Sequence, residues 1–224
     1  MKQDNTLKRE LKMPVQNKKV LLTALVATLI TLQGCETEEK ATEAAKRNGQ
    51  PADIFLANIA ALCGKAFSGR IVANEPRTDQ PDSFEGKALV MHVRGCEEPA
   101  RQLRIPFHVG DDHSRTWVLT RTDNGLRLKH DHRHEDGSED AVTMYGGETS
   151  DPGSSTRQEF PVDAESIALF QRQGLGASVE NTWAMEIHPG EMFAYELTRP
   201  SGRRFRVEFD LTEESDLPPP PWGS

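Results

Sequence analysis

The chain lacks every catalytic signature that would make its chemistry obvious. No Gly-x-Ser-x-Gly elbow, Walker loop or dinucleotide fingerprint occurs in its 224 residues, so the chemistries those motifs carry have no support. Cysteine is scarce: there are three, none in Cys-x-x-Cys spacing, and a thioredoxin-type redox motif is absent. Positive charge is in deficit, with 27 Lys+Arg against 35 Asp+Glu and a formal charge of −8. Such a body repels nucleic acid and anionic surfaces instead of seeking them. A long hydrophobic run is missing as well. The most apolar stretch, residues 20–32 (VLLTALVATLITL), has thirteen residues, whereas a membrane-spanning helix needs roughly 20. No internal repeat is visible.

What is present begins with that stretch. Lys18 and Lys19 precede it, and Leu32-Gln33-Gly34-Cys35 follows it. A basic start, an apolar core of this length and small residues before a cysteine resemble the lipobox of bacterial lipoprotein signal peptides. Gln33 and the long charged leader depart from the usual form, and initiation at Met13 would restore ordinary proportions. The resemblance implies that residues 1–34 are removed as a signal peptide and that Cys35 is lipidated. Acyl chains contribute about 0.8 kcal/mol per buried methylene, so several on one cysteine hold firmly. Glu36, where aspartate would favour inner-membrane retention, implies an outer-membrane destination facing the periplasm. Processing removes six basic and two acidic residues, leaving 21 against 33 and a formal charge of −12. In an oxidising compartment the remaining pair, Cys63 and Cys96, is expected to form a disulfide; two free buried thiols are the alternative.

Residues 35–51 are charged and alanine-rich without an apolar stripe, and they read as a lipid-anchored tether. Residues 212–224, with four consecutive prolines, read as a Pro-rich tail. Between them, residues 52–211 are enough for one β domain. It opens with a helix: Asp53 is placed to cap it, and Ile54, Phe55, Ile59, Leu62 and Cys63 recur at helical spacing before Gly64. The pattern then changes to period two in KALVMHVRGC, QLRIPFHV, RTWVLTR, GLRLKHDH, DAVTMYGG, TWAMEIHP, MFAYELTR and RRFRVEFDL, with a weaker strand near Gly69 to Ala73. Asn124-Gly125, Asp136-Gly137, Pro189-Gly190 and Ser201-Gly202 supply turns. Residues 163–173 read as one short helix between strands. The fold class is therefore mainly β: eight or nine strands in an antiparallel meander, closing into a rolled sheet or calycin-like barrel, an architectural analogy. A two-sheet sandwich is the competitor.

Residues 126–137 (LRLKHDHRHEDG) hold the one constellation suited to chemistry. His130, His132 and His134 share parity, so on a strand they point the same way. A two-residue turn at Asp136-Gly137 would place His134 opposite Glu139, His132 opposite Ala141 and His130 opposite Thr143. A two-residue turn at Asn124-Gly125 would place Leu119 opposite His130 and Trp117 opposite His132. Residues two apart on a strand lie about 6.6–6.8 Å apart, within reach of one ion at Zn–N bonds of about 2.0–2.1 Å. A divalent metal such as zinc would thus use His130 with His132, or His132 with His134 and Glu139. The bland reading is a solvated, charge-alternating hairpin with histidines at a rim.

Other features are weaker. Asp111-Asp112-His113-Ser114-Arg115 reads as a polar surface loop, and His92 and His108 as strand residues. The histidine strand and IPFHVGDDHSRTWVLTR are similar to bacterial secreted proteins of no assigned activity, which implies none here. The functional expectation is a lipid-anchored, non-enzymatic binding or structural module of the cell envelope. Its partners would be the membrane, through the anchor, and a small apolar ligand or an envelope protein. A ligand cavity would be lined by Trp117, Leu119, Leu128, Tyr145, Met185, Phe205 and Phe209. The alternative is a metal-binding protein or metal-dependent hydrolase built on the histidine strand.

Overall fold

Alternation decides the architecture. In the segment Arg204–Asp210, Phe205, Val207 and Phe209 are buried while the two end residues are exposed, and apolar members of other strands share one parity in the same way, as Leu103, Ile105 and Phe107 do. A sheet with one apolar face must hide that face, and rolling up hides it while removing open edges. The computed structural model describes residues 49–77 and 82–224. The expected signal peptide, Cys35 and nearly all of the expected tether lie outside the described residues.

A helix, α1 (Pro51–Ala60), precedes ten strands: β1 (Ala66–Glu75), β2 (Leu89–His92), β3 (Gln102–Val109), β4 (Asp112–Arg121), β5 (Leu126–His132), β6 (Tyr145–Glu148), β7 (Arg157–Pro161), β8 (Thr182–His188), β9 (Met192–Thr198) and β10 (Arg204–Asp210). Helix α2 (Ala164–Arg172) and a 3₁₀ turn (Gly176–Glu180) interrupt the β7–β8 connection. All pairings are antiparallel, in the order β6-β5-β4-β3-β2-β1-β10-β9-β8-β7. Since β1 pairs with β10, the meander rolls up, and β6 and β7 are left facing each other. They meet through a Gly147–Val162 bridge and Asp163 N–H donating to Gly146 O at 3.0 Å. The result is a nearly closed up-and-down barrel. Glycine is required at this seam: a Cβ on Gly146 would lie 1.9 Å from Leu128 O, and one on Gly147 1.8 Å from Pro161 O.

Strand β7 goes beyond the sequence expectation, because Gln158 occupies an inward, buried position beside Phe160 and breaks the apolar pattern. Its amide donates instead to Ser154 O at 2.8 Å. Conversely, residues 140–144 do not extend β6. Asp140 accepts from Val142 N–H at 2.7 Å, and Met144 has φ 54°, so the chain turns there.

One end of the barrel is plugged. Phe55, Leu56 and Ile59 of α1 are buried in the common core. Asp53 does not cap this helix: Gln50 is the N-cap and Pro51 starts it. The Asp53 carboxylate instead accepts from Arg121 Nε at 2.6 Å, and Arg121 also donates to Gly125 O at 2.8 Å. Cys63, after the helix, and Cys96, after β2, form the expected disulfide. With the two cysteines 33 positions apart, chain entropy assigns it about 3.7 kcal/mol.

The other end is open, with α2 beside it. Asp163 caps α2 by accepting from Ser166 N–H at 2.8 Å, and Lys129 donates to Asp163 at 2.8 Å. The Pro-rich segment is docked along the outer wall: Ser215 N–H donates to Ala66 O at 2.9 Å and Trp222 N–H to His113 O at 3.0 Å. Outward-facing Arg206 joins Glu186, Glu196 and Glu208 at 2.9–3.2 Å, one knot in an ion-pair mesh over β7–β10. Among the described residues no helix is long and apolar enough to cross a membrane.

Candidate functional site

The open end encloses a cavity of about 310 Å³, at the low end of the range for small-molecule pockets. Strand parity explains its lining. Trp117 of β4, His130 of β5, Tyr145 of β6, Trp183 of β8, Tyr195 of β9 and Phe205 of β10 all face inward and line it. The expected lining was partly right. Trp117, Tyr145 and Phe205 are there, whereas Leu119, Leu128, Met185 and Phe209 are fully buried in the solid plugged half. Phe55 and its helical neighbours join that half of the core, where they and these apolar side chains are buried in one cluster.

The floor is a connected aromatic surface. Trp117 stacks on Tyr195 with ring centroids 4.5 Å apart and on Phe107 at 4.9 Å. His130 stacks on Tyr145 at 4.7 Å. Its Nδ1 lies 3.1 Å from Tyr145 O; a carbonyl only accepts, so Nδ1 carries the proton and Nε2 is left to accept. Tyr195 O–H donates to Nε2 at 2.8 Å. One step nearer the mouth, Tyr145 Oη lies 3.2 Å from His132 Nε2. Burial, then the nearby His132, hold His130 down at about 3. Burial and the Arg115 charge hold His132 at about 4. Burial pushes Tyr145 up to about 12 and Tyr195 well above its ordinary value. All four groups are therefore neutral at neutral pH, and they form a fixed hydrogen-bonding floor.

The rim is different in kind. Continuing each strand's inward parity toward the mouth gives Arg115 from β4, His132 from β5, Asn181 before β8, Arg199 after β9 and Arg203 before β10, all lining the cavity. Arg115 lies over the Phe84 ring at 5.3 Å and bonds Asp112 Oδ2 at 2.5 Å. Burial pushes Asp112 up, but hydrogen bonds from Ser114 and Arg115 outweigh it and leave the carboxyl at about 2. Arg203 lies over Phe205 at 5.8 Å, donates to Asn74 Oδ1 at 2.6 Å and has Asp82 at 3.7 Å. Arg199 donates to Asn181 Oδ1 at 2.6 Å and Ser178 Oγ at 3.5 Å. Burial and the adjacent Arg203 charge lower its pKa.

The proposed metal ligands are not brought together. His130 and His132 do share the inward face, but both ring nitrogens of His130 are engaged by tyrosines. His134 lies past the end of β5 and is exposed, and Glu139, also exposed, pairs with Arg133 at 3.1 Å. The turn is the reason. Gly137 N–H donates to His134 O, and Arg133, not His134, faces Glu139. That one-residue slip takes His134 off the expected register. Among the described residues no group of three or more His, Cys, Asp or Glu is arranged to hold a metal ion. His108 is buried on the outer side of β3, its Nδ1 2.8 Å from His113 Nδ1, and His92 is likewise an outward strand residue.

The arginine rim escaped sequence reasoning, although its signal was present. Tyr195, Leu197, Arg199 and, backwards, Phe205, Arg203 continue one parity past the apolar run. Comparison with protein-family models, curated proteins and solved structures yields no match, so the functional reading rests on the chemistry of this site.

Proposed function

We propose that the protein is a lipid-anchored binding module of the bacterial cell envelope, holding a small, mainly apolar molecule in the open end of its barrel. The observation that carries this is the asymmetry of the barrel: one end is packed solid by α1, while the other keeps an aromatic-floored space of about 310 Å³. A meander that needed aromatics merely as filling would close both ends. The Val20-to-Cys35 pattern supports the address, and the Cys63–Cys96 disulfide fits an oxidising compartment.

Binding is tested with the neutral probe N-phenyl-1-naphthylamine titrated into the full chain. Saturable fluorescence is expected, and Val142→Trp, on a loop lining the cavity, should abolish it by filling the space. No saturable signal, or one that Val142→Trp leaves untouched, would overturn the reading. The anchor is tested separately: labelled palmitate should enter the chain in cells and fail to enter Cys35→Ser.

A further inference from the structure

We infer that the molecule bound in this cavity is an amphiphilic anion, its apolar body on the aromatic floor and its carboxylate, sulfonate or phosphate head at Arg199 and Arg203. The inference rests on the cavity reading and adds the charge of the occupant.

Three guanidiniums line a cavity that, among the described residues, no carboxylate lines, in a chain whose formal charge is −8. The nearby acids among the described residues are already committed. Asp112 is held by Arg115 and Ser114. Asp82 accepts from Phe84 N–H at 2.9 Å and Asn74 at 3.1 Å, and stands 3.7 Å from Arg203. Asp140 accepts from Val142 N–H. Arg199 is the least compensated. It is half-buried, its partners are an amide and a hydroxyl, and among the described residues it forms no ion pair. Elsewhere on this barrel inward-pointing arginine is answered by carboxylate, as Arg121 is by Asp53. Both Arg199 and Arg203 flank one tight hairpin, in which Arg199 N–H donates to Arg203 O at 3.0 Å. Their guanidiniums therefore approach the cavity from the same wall, suited to one anionic head. The head would face the mouth and the apolar body would point toward Trp117 and Tyr195.

Matched probes separate this from binding as such. The anion 1-anilinonaphthalene-8-sulfonate and neutral N-phenyl-1-naphthylamine share a ring system and differ by the sulfonate. Each is titrated into the full chain, Arg199→Gln and Arg203→Gln; probe bound elsewhere on the chain is common to all three. The anion should bind the parent about tenfold tighter than the neutral probe, about 1.4 kcal/mol. Either glutamine variant should lose most of that advantage while the neutral probe is unaffected, and Arg199→Lys should keep part of it. Decanoate and decyl phosphate should displace the anion better than decanol, and their order identifies the head. Equal affinity for the two probes overturns the inference and leaves the cavity reading standing. Loss of both probes in both variants marks a damaged mouth and overturns it too. Failure of the anion alone to bind the parent also overturns the inference and leaves the cavity reading standing, whereas failure of the neutral probe overturns both.

Discussion

Acid should begin to destabilise this barrel well before its carboxylates are protonated, because of His130. Its ordinary pKa of 6.5 is depressed to about 3 in the folded protein. As pH falls below 6.5 the unfolded chain takes up the proton and the folded chain does not. Stability from this group is therefore full above 6.5 and is lost as pH falls toward 3. Between pH 7 and pH 5 the linkage integral gives a loss of about 2 kcal/mol for this one buried imidazole. His108 and His132, each lowered to about 4, add in the same sense. Carboxylates such as Asp112, at about 2, contribute only below their ordinary 3.8, outside this window. The assay is urea unfolding of the full chain at pH 7, 6 and 5, followed by circular dichroism, with His130→Gln alongside. Glutamine costs some packing at every pH but does not titrate. The parent should thus lose about 2 kcal/mol more than the variant across the window. Parallel stability curves would refute the buried neutral imidazole, and with it the hydrogen-bonded floor.

Two other perturbations probe the frame. Gly147→Ala should cost at least about 3 kcal/mol by overpacking, since its Cβ would meet Pro161 O at 1.8 Å. Gly176→Ala, with nothing within 4 Å and no positive φ, should be neutral or gain about 0.5 kcal/mol; thermal melts of both variants check the contrast. Arg121→Met strands the partly buried Asp53 carboxylate and should cost about 3 kcal/mol. Asp53→Asn in the same chain should recover part of that, read by urea unfolding as a double-mutant cycle.

How much of this was legible depends on what a two-residue period can encode. Inward and outward faces were readable because Phe205, Val207 and Phe209 alternate with charge, which implies antiparallel strands with one buried face and leaves rolled sheet and sandwich both open. Register was not. A two-residue turn at Asn124-Gly125 would set Trp117 opposite His132, yet Trp117 faces His130 and Arg121 faces Leu126 across a four-residue loop. A slip of two leaves every side chain on its own face, so the parity argument survived an error in the pairing. At residues 133–139 the slip is one, and there His134 was lost from the site. Helix α1 was legible as a helix but not as a plug, because only the closed barrel shows that Arg121 reaches Asp53 instead of solvent. Sequence separation hides such pairs: these two stand 68 positions apart.

The rim also bears on why stability and function part company in this fold. On the outer wall every buried charge is answered: Arg206 meets three glutamates, and Lys129 meets Asp163 and Glu165. There the local rule that buried charge must be paired is obeyed. At the mouth Arg199 and Arg203 lie close enough for one to depress the other, and Arg199 has only neutral partners. Folding gains nothing from that arrangement, since two partly desolvated cations repel and a glutamine would satisfy Asn181 and Ser178 as well. Departures of this kind, set in a frame that otherwise obeys the rule, concentrate where a protein meets its ligand. Arg115 and Arg203 keep their carboxylates, Asp112 and Asp82, so among the described residues the departure is confined to Arg199, the one rim cation placed to answer an incoming anion.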